Sequence, residues 1–307
     1  MEEKVLYSME SPFQQEINVK GYYFGKNEGK EHSACIVGAL RGNEYQQLYI
    51  CSKLIDVLKK IEKHGDIVGE NGILVIPSVS NMSMDFGKRF WISDDTDLNR
   101  LFPGNPSGES GSRVAYAIME TTKGYRYGIH LPSFYLGGTF MPHIRLLDPE
   151  HGSTSLANLF GLPYVIEAKS RPFDRTTLHN NWQRNGTEAF SLYTGMTGKI
   201  DDELAAQAVS SILRFLTRMG IIRYYSHSGY IASVLKEGDL EPIMTEAAGI
   251  FIKKAECGQE VSRGDVLAQI MKADSGEIIS EVKAPTDGII FYAETRPVVY
   301  SNLLVFQ

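Results

Sequence analysis

Three short clusters hold the side chains of this sequence best suited to chemistry. Arg41-Gly42-Asn43-Glu44 follows directly on an apolar run and opens a helical pattern. Asp97-Leu98-Asn99-Arg100-Leu101-Phe102-Pro103-Gly104 is a second group, with Arg89 upstream, and His130 closes a third apolar run, Tyr127-Gly128-Ile129-His130. In an open α/β sheet, groups just past the strand C-termini converge on the binding crevice, so polar residues at three such ends predict one shared pocket. Each residue also has a plain structural role open to it. Glu44 suits a first-turn carboxylate favoured by the helix dipole, His130 a hydrogen-bonded core histidine, and Asn99 with Arg100 a brace for the turn before Phe102. Arg89 beside Lys88 also suits an exposed loop, and His143, His151 and His179, which show no ligand spacing, are expected at the surface.

The elements that must position these clusters follow from apolar periodicity. Ser33 to Leu40 and Gly72 to Val79 are β-branched runs closed by turn residues, which predicts two buried strands. Leu48, Cys51, Leu54, Ile55, Leu58 and Ile61 recur at helical spacing, and Gly65 stops that run. A later helix is expected from Asp201–Asp202, whose carboxylates can cap free N–H groups. It would bury Leu204, Ala205, Ala208, Val209, Ile212, Leu213 and Leu216 and end at Gly220. Alternating strands and helices give an α/β layer fold over residues 1–228. From Gly229 the helical period disappears, and short glycine-punctuated runs over 246–307 predict a small β domain spanning 229–307.

The same clusters carry a resemblance. Gly38-Ala39-Leu40-Arg41-Gly42-Asn43-Glu44 is similar to the G-x-x-H-G-N/D-E signature of the succinylglutamate desuccinylase/aspartoacylase family, relatives of zinc carboxypeptidases. The stretch from Val75-Ile76-Pro77 through Asn81, Arg89 and residues 97–104 resembles its second signature, and His130 falls at its third zinc ligand. The likeness covers most of residues 20–222, with residues 97–104 its most specific part. It implies a zinc-carboxypeptidase-like mixed sheet flanked by helices. Zinc would be held by His, Glu and His with an open position for water, a glutamate would act as base, and an arginine would steady the oxyanion. On this chain those roles fall to Glu44 and His130 for the metal, Arg89 for the oxyanion, and Asn99 with Arg100 for a substrate carboxylate. The C-terminal part resembles the biotinyl/lipoyl-like barrel of some family members, through residues 258–264 and 284–288. Met271-Lys272 imitates a carrier lysine, but Gln269-Ile270 precede it and Asp274 to Glu277 lengthen the turn, so no carrier role is expected.

Two positions depart from the family pattern. Arg41 stands where the first zinc-binding histidine belongs, and a guanidinium has only donors to offer a cation. Held ~4 Å from zinc it would cost roughly 8 kcal/mol at an effective dielectric of 20. Arg41 is therefore expected to neutralise Glu44 or to hold an anion. Tyr193, in the run Gly186 to Gly195, takes the place of the base, and at a pKa near ~10 a phenol is a poor one. Gly128 replaces an aspartate beside His130.

Composition narrows the partners. With 307 residues, 43% of them hydrophobic and 22% charged, the chain can bury a large core, and its net charge of −6 argues against nucleic acid. No apolar stretch is long enough for a membrane span. The opening residues lack the basic and apolar regions of a secretory signal, and three widely spaced cysteines fit a reducing cytoplasm. The expected function is that of a hydrolase-family protein resembling zinc-dependent deacylases of N-acyl amino acids, with a degenerate metal site. The alternative is a metal-free relative that binds a small carboxylated molecule or serves as a partner subunit.

Overall fold

The computed structural model describes residues 1–10, 16–26, 33–134, 137–148, 154–226 and 228–307. The N-terminal strands are β1 (Glu2–Glu10), β2 (Glu16–Gly25), β3 (Ala34–Ala39), β4 (Gly72–Ser78), β5 (Tyr127–His130), β6 (Thr139–Leu147), β7 (Tyr164–Ala168) and β8 (Glu188–Gly195). The helices are α1 (Tyr45–Lys63), α2 (Asn81–Asp85), α3 (Ser110–Thr122), α4 (Thr154–Asn158), α5 (Leu178–Arg184) and α6 (Asp202–Arg218). Strands β4, β3, β5 and β8 run parallel in that order, with β2 and β6 antiparallel at either side. The two strands and two helices expected from periodicity are present as β3, β4, α1 and α6. Asp201 caps α6 by accepting from Leu204 N at 3.0 Å, and Gly220 just past its end takes the left-handed φ of 70°.

Because side chains alternate along a strand, one sheet has two different faces. Ile36, Val75, Ile129, Phe190 and Leu192 join the core under α1 and α6. Val37, Ile76, Ala189 and their neighbours pack on the opposite face beneath α3 and α5. The mixed sheet is thus covered on both sides, the arrangement expected for parallel strands. None of the helices of the described residues is long and apolar enough to cross a membrane.

The C-terminal part is built of short β-strands, as expected, and they are divided between small sheets of their own and the large sheet. Its strands are β9 (Ser233–Lys236), β10 (Ile243–Met244), β11 (Gly249–Lys253), β12 (Glu260–Val261), β13 (Val266–Met271), β14 (Ile278–Lys283), β15 (Gly288–Ile289), β16 (Tyr292–Ala293), β17 (Val298–Val299) and β18 (Leu304–Phe306). Four of them form a sheet in the order β14-β13-β11-β17, and β12 pairs with β15. The others extend the large sheet: β9 lies parallel to β7, β16 pairs with the start of β6, and β18 and β10 follow outward. Sharing strands in this way brings Phe291 against the α/β part, where it meets Phe140 and His143.

Gly128 explains one departure from the family pattern. The Trp182 indole, tethered to Thr122 Oγ1 by its N–H at 2.9 Å, lies directly over this glycine. A Cβ at position 128 would stand 2.5 Å from Trp182 Cε3. Gly128→Ala should lower the unfolding free energy by about 1–3 kcal/mol in urea titrations, the usual cost of overpacking a core. A variant as stable as the parent would show that the indole is free to move.

Candidate functional site

The loop between β3 and α1 is shaped by close backbone packing. A Cβ on Gly42 would lie 2.3 Å from Lys88 O, so the chain at 83–89 can cross here only over a glycine. Gly42 N donates to Arg89 O at 3.3 Å. This packing turns Arg41 inward, where it is only 4% exposed, and Glu44 is fully buried.

Arg41 is the hub of the site. Its Nε and Nη2 donate to the two oxygens of Asp97, each at 2.9 Å, in a bidentate pair. Its Nη1 donates to Glu44 Oε1 at 3.1 Å and to Ser133 O at 3.4 Å. Glu44 is saturated as well. Its Oε2 accepts from the backbone N–H groups of Leu40 and Arg41 at 2.8 and 3.0 Å, and its Oε1 also accepts from Ser133 N and Oγ at 3.2 and 2.6 Å. Burial alone would lower the Arg41 pKa, but Glu44 and Asp97 reverse that and raise it.

A cavity of about 250 Å³ opens beside this hub, lined by Arg41, Asn99, Arg100, His130 and Tyr193 among others. Sheet register builds its floor. His130 of β5 is paired with Ser191 of β8, which is paired with Arg145 of β6, so three polar side chains lie in one row on one face. Two residues further along the strands, Tyr193 is paired with His143, and their rings stack at 5.0 Å. Phe134 and Phe291 extend this aromatic wall at 4.3 Å from Tyr193 and 5.1 Å from His143.

The residues expected at the site fare differently. Arg41, Asn99, Arg100, His130 and Tyr193 all line the cavity, while Glu44 lies behind Arg41. Asn99 spends its Oδ1 on Leu178 N at 3.1 Å. Arg100 turns to Phe173 O at 3.1 Å and to Asp174 at 3.6 Å. Arg89 is outside the cavity lining and donates to Phe134 O at 3.4 Å, its pKa lowered by burial and by Arg41. Burial pushes the Tyr193 hydroxyl above its ordinary value, further from a base. His143 and His179 are not surface groups, since both are buried and line the cavity; His151 lies outside the described residues. Asp97, Ser133, Arg145, Arg171 and Glu237 were not singled out. Of these only Asp97 carried a signal, as the carboxylate heading the second cluster.

The zinc that the fold family implies would fall to positions 41, 44 and 130. That donor set does not fit the ion: one position is a cation, and the Glu44 oxygens already accept five N–H or O–H donors. Among the described residues no group of three or more His, Cys, Asp or Glu side chains is placed to hold a metal. His130 Nε2 and His179 Nε2 have no hydrogen-bond partner. Burial, then the charge of Arg41, holds His130 well below the usual histidine range, so the ring stays neutral.

Comparison with known proteins agrees with the fold and the motifs. The model of the succinylglutamate desuccinylase/aspartoacylase catalytic domain matches residues 30–219. The chain belongs to this family. A curated relative, the N-alpha-acetyl-L-2,4-diaminobutyric acid deacetylase of Halomonas elongata, is 23% identical over 85% of this chain and 77% of its own length. Among solved structures, a succinylglutamate desuccinylase from Silicibacter sp. TM1040 superposes with a TM-score of 0.81 at 18% identity, over 98% of this chain and 91% of that one. The ectoine utilization protein EutE of Ruegeria pomeroyi, with product bound, gives 0.80 at 18% identity, over 97% and 91%. These neighbours share the mixed sheet flanked by helices.

Two outcomes follow from the geometry. Arg41→Ala would strand two carboxylates, one of them fully buried, and should cost about 3–5 kcal/mol of stability by urea unfolding. His143 provides a pH test, since burial lowers its pKa to about 3 in the fold. In the unfolded chain it titrates near ~6.5, so between these values only the unfolded state binds the proton and stability falls as the pH drops. Replacing it by phenylalanine should remove about 2 kcal/mol of the stability lost between pH 7 and 5. An unchanged pH dependence would mean that the folded protein protonates His143.

Proposed function

We propose that this chain is a metal-free member of its family that binds a small carboxylated molecule in the cavity beside Arg41. One observation carries the reading: the Arg41 guanidinium lies on Glu44 and Asp97 and supplies the positive charge that a metal would bring to these carboxylates. Tyr193, which the resemblance sets at the position of the family's base, holds its proton more tightly than an ordinary phenol because it is buried. What remains is a cavity with cationic side chains and an aromatic wall, suited to holding an acid with an apolar body. The ligand belongs chemically with the N-acyl amino acids and their carboxylate products, in keeping with the deacetylase relative.

A second reading rests on the unpartnered Nε2 atoms of His130 and His179. In it the protein is a deacylase whose Arg41 moves aside when zinc binds. Elemental analysis of purified protein, before and after dialysis against excess zinc, separates the two. Metal-free binding predicts no stoichiometric zinc in either sample, together with thermal stabilisation by some member of a panel of N-acyl amino acids and dicarboxylates. Arg41→His combined with Tyr193→Glu should then take up about one zinc per chain, as three-ligand catalytic sites do. Stoichiometric zinc in the native protein, with hydrolysis of an N-acyl amino acid, would favour the second reading.

A further inference from the structure

Charge pairing around the cavity is uneven. Arg41 is matched by Glu44 and Asp97, and Arg100 by Asp174. Arg145 and Arg171 share a single carboxylate: both donate from Nη2 to Glu237 Oε1, at 3.0 and 2.9 Å. Two cations on one anion leave an excess positive charge, and all three residues line the cavity. The position that the family pattern assigns to a carboxylate, Asn99 with Arg100, is by contrast already engaged by Leu178, Phe173 and Asp174.

Arg145 is also the better placed anchor. It lies on the cavity floor in register with Ser191, held on a central strand, whereas Arg100 comes from a turn. Two residues earlier on the same strand is His143, so the two side chains rise from one face about 7 Å apart. A carboxylate on Arg145 would lay the rest of its molecule along His143, Tyr193 and Phe291.

We propose that Arg145 and Arg171 form the carboxylate subsite of the cavity, that its ligand is a small aromatic carboxylate, and that Glu237 is a built-in competitor occupying the subsite when it is empty. Glu237 lies between β9 and β10, directly after β9, and its side chain is partly exposed, so a ligand can displace it. This rests on the reading of a metal-free, carboxylate-binding cavity, and moves the anchor away from Asn99 and Arg100.

Benzoate is the probe, titrated into full-length protein after dialysis against a chelator and followed by ligand-observed NMR. Glu237→Gln removes the competing charge and should tighten benzoate at least threefold. Arg145→Ala and Arg171→Ala should each weaken it about tenfold or more, the loss expected for a charge-assisted hydrogen bond, and by more than Arg100→Ala does. Acetate, which lacks the ring, should bind more weakly than benzoate. The half-exposed Arg171 and Glu237 keep the test available if the Arg145 variant fails to fold. Loss of benzoate binding in Arg100→Ala alone would overturn the proposal and leave the carboxylate-binding reading intact. No binding to either the native protein or Glu237→Gln would overturn it too, while the zinc content and the N-acyl amino acid panel would still judge the underlying function.

Discussion

Arg41 carries a charge that cannot be removed at neutral pH, and the fold has taken it almost wholly out of water. Such a group must be neutralised within the protein, and here one neutralising carboxylate, Glu44, lies three residues on while the other, Asp97, is 56 positions away. Glu44 heads α1, Asp97 caps the turn at Leu98–Arg100, and Ser133 follows the end of β5. The hydrogen bonds that satisfy Arg41 and Glu44 therefore tie the segments just past β3 and β5 to the turn at Leu98–Arg100. Replacing a buried ion pair with matched apolar groups is often harmless, whereas removing one partner is not.

The second constraint is the two-residue period of the strands. On β5, β8 and β6 the odd and even positions are divided cleanly, with Ile129, Phe190, Leu192, Ile144 and Leu146 entering the core. The alternate positions hold His130, Ser191, Tyr193, His143 and Arg145, which face the cavity. A polar floor is tolerated because it opens on a cavity instead of packing against a helix. Where a helix does cover the same face, over Gly128, the side chain has been reduced to nothing and Trp182 fills the space. Sheet register consequently decides both where the ligand can lie and which groups meet it.

Much of this was legible before the structure. Uninterrupted apolar runs marked β3 and β4, helical spacing marked α1 and α6, and the family signatures brought Arg41, Glu44, Asn99, Arg100 and His130 into one neighbourhood. The pairing of Arg41 with Glu44 followed from charge alone. Its bidentate pairing with Asp97 did not, because two groups 56 positions apart meet only through tertiary packing. Arg145, Arg171 and Glu237 were invisible for the same reason. Each stands alone in its local sequence, and their convergence depends on β6 lying beside β7 and on β9 adding to that edge. His143 and His179 were misjudged because a lone histidine gives no sign of which face of its element it occupies. Glycine spacing marks the turns between the short C-terminal strands but says nothing of which sheet each strand joins.

The two departures at the centre make physical sense only together. In the family pattern a divalent ion faces one ligand glutamate and one glutamate base, a neutral set of charges. Here a guanidinium faces Glu44, and the resemblance sets the uncharged Tyr193 at the position of the base, which would make the set neutral again. Either change alone would leave a unit of charge uncompensated beside the buried Arg41 and Glu44, at a cost of several kcal/mol. Asp97 then meets Arg41 on its other edge, and Arg89, which feels both Glu44 and Asp97, offsets that further negative charge.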